Sequence, residues 1–251
     1  MRKAIIQADM DVKLQQKKQH IRFLNVAASA DVLRPIGAFV SGGKEYEDDS
    51  AVPLPSSRFN FIYMHNAQPK QVNWAPYYLV NALHLSPLPE EKLMYGIVQT
   101  PKKCLTDRFC DHPTFHLIWS HILDREMPAE HLLASKKVNS FMIDINVNLI
   151  GDMNPKDIQF SFLNKDGGDL STVGVKVADF QELYSAGYTR SKHNPQVCRF
   201  YFLGHFKESF AAEQETIKVS ISAKQIDEML VEVPLKRGFS SFLEVQLEAT
   251  K

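Results

Sequence analysis

Residues 141–152 read "FMIDINVNLIGD", with Phe141, Ile143, Ile145, Val147 and Leu149 apolar and Asp144, Asn146 and Asn148 between them. A period of two sends successive side chains to opposite faces of an extended chain, so this stretch predicts a half-buried β-strand. Gly151 to Pro155 punctuates it. "IQFSF" (158–162) then alternates Ile158, Phe160 and Phe162 with Gln159 and Ser161 before the turn "NKDGGD" (164–169).

The same alternation recurs at Val173, Val175 and Val177, at Cys198, Phe200 and Phe202, and at Ile217, Val219 and Ile221. It returns at Met229, Val231 and Val233 and at Leu243, Val245 and Leu247, so seven strands are expected between residues 141 and 247. Only "ADFQELYSAG" (178–187) and "SAKQIDEML" (222–230) look locally helical. Parallel neighbours need a crossover of a dozen or more residues, usually a helix. The spacing therefore predicts an antiparallel β-sandwich or jelly roll over 139–251.

The first half, residues 1–138, reads as strands plus two or three helices. Strands are expected in "HIRFLNVAAS" (20–29), "RPIGAFVSG" (34–42), "RFNFIYMHN" (58–66) and Leu93 to Gln99. Helices are expected in "NWAPYYLVNALHL" (73–85) and "HPTFHLIWSHILDRE" (112–126), the second with Pro113 at its first turn and Phe115, Ile118 and Ile122 as its buried stripe. Residues 41–57, acidic and rich in Gly and Pro, predict an exposed loop. Residues 127–139 are the expected boundary between the two parts, unless the chain forms one interleaved domain. The fold class is thus mainly β with some α.

Composition excludes some functions. In 251 residues, Lys+Arg and Asp+Glu number 29 each, so no bulk charge draws the chain to nucleic acid or to an anionic surface. No apolar run nears the roughly 20 residues that span a bilayer, and no signal-peptide core follows the basic start. Three cysteines suit free thiols in a reducing compartment, so a cytoplasmic location is expected, or a virion if the protein is viral.

One stretch concentrates reactive groups. "KCLTDRFCDHPTFHLIWSH" (103–121) holds Cys104, Cys110, His112 and His116, all of ligand type for zinc. Their spacing departs from the short Cys-x2–4-Cys knuckle, and a helix start divides the histidines, so no resident metal is expected. A Cys/His nucleophile oriented by Asp107 or Asp111 is the weaker use of the same residues. There is no G-x-S-x-G, H-E-x-x-H, Walker or G-x-G-x-x-G motif. "SGGK" (41–44) reads as a turn, and the acidic "EYEDD" (45–49) and "NKDGGD" read as solvated loops rather than calcium sites.

Tyr63, Trp74, Tyr77 and Tyr78 offer apolar rings with polar tips, which suit either a protein interface or a core. The reading that follows is a non-catalytic structural or assembly subunit without a cofactor or small-molecule ligand. It would associate with itself or with other subunits, as virus or phage shell proteins do. The alternative is a small hydrolase or metal-dependent enzyme using residues 104–121.

Overall fold

The structure, a computed structural model, describes residues 24–29, 60–65, 68–75, 77–81, 113–178, 188–191, 193–224 and 226–249. Its strands in chain order are β1 (Val26–Ser29), β2 (Phe61–His65), β3 (Gln68–Asn73), β4 (Tyr78–Asn81), β5 (Ser140–Ile150) and β6 (Gln159–Asn164). Then come β7 (Val175–Ala178), β8 (Thr189–Arg190), β9 (Val197–Phe206), β10 (Gln214–Ala223), β11 (Ile226–Lys236) and β12 (Ser240–Glu248). Among the described residues, two α-helices, α1 (Pro113–Ile122) and α2 (Ala129–Ser135), lie between β4 and β5. The architecture is mainly β.

A seven-stranded sheet runs β3-β2-β12-β5-β9-β7, with β8 also paired to β9. A three-stranded sheet runs β11-β10-β6, and β1 pairs with β4 in parallel. The two larger sheets meet across one apolar cluster. Ile143, Ile145, Val147, Phe200 and Phe202 of the first sheet join Ile217, Val219, Val231 and Val233 of the second. Phe160 sits 4.7 Å from Phe200, and Phe162 sits 4.8 Å from Phe202, ring centre to ring centre. Alternating apolar residues form these strands because each pleat sends every second side chain into that cluster.

The strands predicted from residue 141 onward all appear, but several expectations are corrected. The main sheet is mixed rather than antiparallel, since β12 runs parallel to both β2 and β5. Parallel pairing is possible here because β12 returns from the second sheet, so its neighbours in the first sheet are not its neighbours in sequence. Residues 78–81, expected helical, form β4. Of the segment 222–230, also expected helical, residues 222–223 end β10 and residues 226–230 begin β11, whose pairing buries Ile221, Val231 and Val233. Strand β5 is buried on both faces, with Asp144 wholly inaccessible and Asn146 8% exposed, because it lies in the middle of the sheet.

Helix α1 forms where expected, but it is turned about. Leu117 is the residue it buries, against Val80 of β4. Ile118 and Ile122, expected inside, are exposed, and Phe115 is only half-buried. Among the described residues no helix is long and apolar enough to cross a membrane. The expected strands at 34–42 and 93–99, the loop 41–57 and most of the segment 178–187 fall outside the described residues.

Candidate functional site

Strands β2 and β12 bring three polar side chains together. Their parallel register sets Phe61 opposite Ser240 and His65 opposite Glu244. Ile62, Met64 and Leu243 enter the core cluster, so the alternate residues Tyr63, His65 and Glu244 share the other face. The Tyr63 hydroxyl donates to Glu244 Oε2 at 2.6 Å, and His65 Nδ1 lies 3.2 Å from that same oxygen. An ionised carboxylate only accepts hydrogen bonds, so Nδ1 is the ring nitrogen that donates to Glu244, and in the neutral ring the lone pair is then on Nε2. The His65 side chain is 49% exposed. An oriented neutral imidazole is the usual general base near neutral pH.

The same face continues across the sheet. Register pairs align Gln68, His65, Glu244, Asn146, Arg199 and Thr189 in one transverse row. The adjacent row holds Tyr63, Phe242, Asp144 and Tyr201. Arg199 Nε bonds Asp144 Oδ1 at 2.8 Å, its Nη2 bonds Oδ2, and the guanidinium lies 4.5 Å over the Tyr201 ring. Burial works to lower the Arg199 pKa, but the hydrogen bonds and charge of Asp144 outweigh it, so the arginine stays more firmly charged than usual. Burial, aided by Asp144, pushes the Tyr201 phenol up against the opposing pull of Arg199. This layer is a polar floor on the sheet face that also carries His65.

The residues singled out from sequence are scattered. Cys104, Cys110 and His112 lie outside the described residues, while His116 is exposed on α1 with its ring 6.1 Å from that of Phe115. Among the described residues no three His, Cys, Asp or Glu side chains are placed to hold a metal. Tyr63 joins Glu244, and Tyr77 is buried beside Ala27 and Val138. Tyr78 packs against the Val80–Leu117 pair, and Trp74 is 65% exposed. In "NKDGGD", Asn164 Oδ1 accepts from the amides of Asp166 at 2.9 Å and Gly168 at 2.8 Å, and its Nδ2 donates to Thr172 Oγ1. Those polar atoms build the turn. Cys198 is free but wholly buried, and burial raises its thiol pKa, which makes it unreactive.

The His65–Glu244 pair was missed because its members stand 179 positions apart. The outward direction of Glu244 follows from Leu243, Val245 and Leu247, but nothing local shows which strand lies beside it.

No family model matches the chain, and no curated protein sequence does. Among solved structures it is similar to the phospholipase PlaB from Legionella pneumophila in complex with thio-NAD. The TM-score is 0.50 and the identity 11%, over 89% of this chain and 57% of that one. A second structure of that phospholipase aligns with a TM-score of 0.48 and 13% identity, over 89% and 56%. The chain thus spans somewhat more than half the length of the phospholipase. A fold shared with a hydrolase runs against the non-catalytic structural or assembly subunit expected from sequence. That expectation, and the virus or phage shell module that came with it, are corrected. The error arose because alternating strands specify a scaffold and leave open the chemistry built upon it.

Proposed function

We propose that this chain contributes to the hydrolysis of lipid esters, with His65 as the catalytic base. The observation that carries this reading is the Glu244 carboxylate shared by Tyr63 and His65, which engages Nδ1 of a half-exposed imidazole and selects Nε2 as the basic nitrogen of the neutral ring. The likeness of fold to a phospholipase supports the choice of an ester, and of a lipid one. It also supports a hydrolase, the alternative named from sequence, although that alternative rested on residues 104–121 and the present reading assigns the base to His65 on β2 instead. The two larger sheets serve as a sandwich-like scaffold for the polar face.

In this scheme His65 Nε2 takes a proton from an attacking water as its oxygen bonds to the acyl carbon. The tetrahedral intermediate then breaks its bond to the alcohol oxygen, and the imidazolium returns the proton to that leaving group. Glu244 and Tyr63 are positioning residues. The carboxylate holds Nδ1–H and stabilises the imidazolium, and the phenol holds the carboxylate.

Hydrolysis of a soluble short-chain ester by the parent and by His65→Gln tests this. A general base accounts for about 10²–10⁴-fold in rate, so a loss of that order is expected, with folding unchanged because His65 is exposed. Cys104→Ala with His116→Ala should retain the parent rate. Equal rates for the parent and His65→Gln would refute the reading, as would loss of activity in the Cys104/His116 variant alone.

A further inference from the structure

Strand β3 sets two carboxamides beside the proposed base. Its antiparallel register places Gln68 directly opposite His65 and Gln71 directly opposite Tyr63. An uninterrupted register running from the His65–Gln68 pair would put Lys70 opposite Tyr63 and Gln71 opposite Ile62, on the core side. The irregularity between Tyr63 and Met64 adds one residue to β3 and brings Gln71 round to the polar face instead. Bulges of this kind recur next to active sites, where they re-aim a side chain. Residues directly opposite on antiparallel strands share a face, with Cβ atoms about 4.5–5.5 Å apart. Gln68 is exposed and Gln71 half-buried, so the Gln68 carboxamide is the one that meets solvent beside the imidazole.

His65 therefore stands between unlike groups. On the β12 side, the Glu244 carboxylate lies 3.2 Å from Nδ1. On the β3 side lies a neutral carboxamide with two N–H donors. Attack of water on an ester puts negative charge on the acyl oxygen, and a base with a carboxylate on one flank calls for a donor on the other to receive that charge. The remaining donors of this face are engaged or covered: the Tyr63 hydroxyl donates to Glu244, Arg199 is paired with Asp144, and Asn146 is 8% exposed. Lys70 is the residue that the bulge leaves without a register partner on β2.

We infer that Gln68 is the oxyanion donor of this site, an inference that rests on the ester-hydrolysis reading above. As the water oxygen bonds to the acyl carbon, its proton passes to His65 Nε2 and the carbonyl π pair moves onto the acyl oxygen, where a Gln68 Nε2–H hydrogen-bonds it. The pair returns to the carbonyl as the bond to the alcohol oxygen breaks and the imidazolium proton follows that leaving group. Gln68 exchanges no proton and acts on the charge alone.

The test uses the full chain, a soluble short-chain ester, and the phosphonate monoester of matching size, whose anionic tetrahedral phosphorus imitates the intermediate. Gln68→Met keeps the length of the side chain and removes the donor. Loss of one oxyanion donor costs about 10²–10³-fold in kcat, so a fall of about 10²-fold is expected, with KM little changed. Phosphonate binding should weaken by a similar factor. Gln68→Lys, which restores an N–H donor at that length, should recover most of both losses, a rescue that a merely structural residue would not give. Both variants should unfold at the parent's urea midpoint, and Lys70→Met should keep the parent's rate. A Gln68→Met variant with the parent's kcat, or one that binds the phosphonate as the parent does, overturns the assignment, as does a loss carried by Lys70→Met alone. Failure of the His65 reading is seen separately, as a His65→Gln variant that hydrolyses the ester at the parent's rate.

Discussion

Asp144 on β5 and Arg199 on β9 form a fork-like ion pair although neither is the other's partner in register: Asp144 lies opposite Tyr201, and Arg199 lies opposite Asn146. The diagonal reach lets the guanidinium cover the carboxylate and rest on the Tyr201 ring together. Asp144 is wholly buried, while a quarter of the Arg199 side chain is exposed. Removing one partner leaves an uncompensated buried charge, which costs about 3–5 kcal/mol, whereas apolar residues at both positions are often neutral. Arg199→Leu should therefore sharply lower the urea midpoint, and Asp144→Leu with Arg199→Leu should recover much of it. An Arg199→Leu variant as stable as the parent would show that the pair adds nothing.

Gly204 is required by packing. A Cβ there would meet Phe141 Cζ at 2.1 Å and the Lys176 carbonyl oxygen at 2.8 Å, so strand and ring cannot both stay in place. Overpacking of a tight core costs typically 1–3 kcal/mol. Gly204→Ala should lower Tm by several degrees, and Gly204→Ala with Phe141→Leu should restore part of the loss. Thermal unfolding of the three proteins decides it.

Tyr201 predicts an alkaline limit to stability. Its folded pKa is raised above the ordinary 10.0, chiefly by burial, so folding favours the neutral phenol. That contribution is fully present below the ordinary value and is lost as pH rises through the raised one. Denaturant unfolding followed from pH 9 upward should show stability falling beyond pH 10, less steeply in Tyr201→Phe. Identical slopes would remove Tyr201 as the cause.

Local patterning made the strands legible and left their neighbours hidden. The alternation in 141–149 located β5, and that around Leu243 located β12, because period two is imposed by the pleat itself. Their parallel pairing was not legible, since register between distant strands depends on the whole topology. Asp144 looked like a solvent-facing residue because alternation tells which side chains share a face and not whether that face is covered. Helix α1 was found from Pro113 and its apolar spacing, yet its buried side was misjudged: Leu117 falls off the stripe that the pattern marks. His65 sat inside a recognised strand. Its partner Glu244 belonged to another, and only folding joined them.

The most direct measurement is chemical rescue. His65→Ala should lose hydrolysis of a short-chain ester, and free imidazole should restore it in proportion to its concentration, to a greater degree than it speeds the parent. Glu244→Gln should lower kcat with KM little changed and gain nothing from imidazole, since it misorients the base without removing it. If His65→Ala hydrolyses the ester as fast as the parent, or stays inactive at every imidazole concentration while folded, His65 is not the base and the proposed activity does not reside on this face.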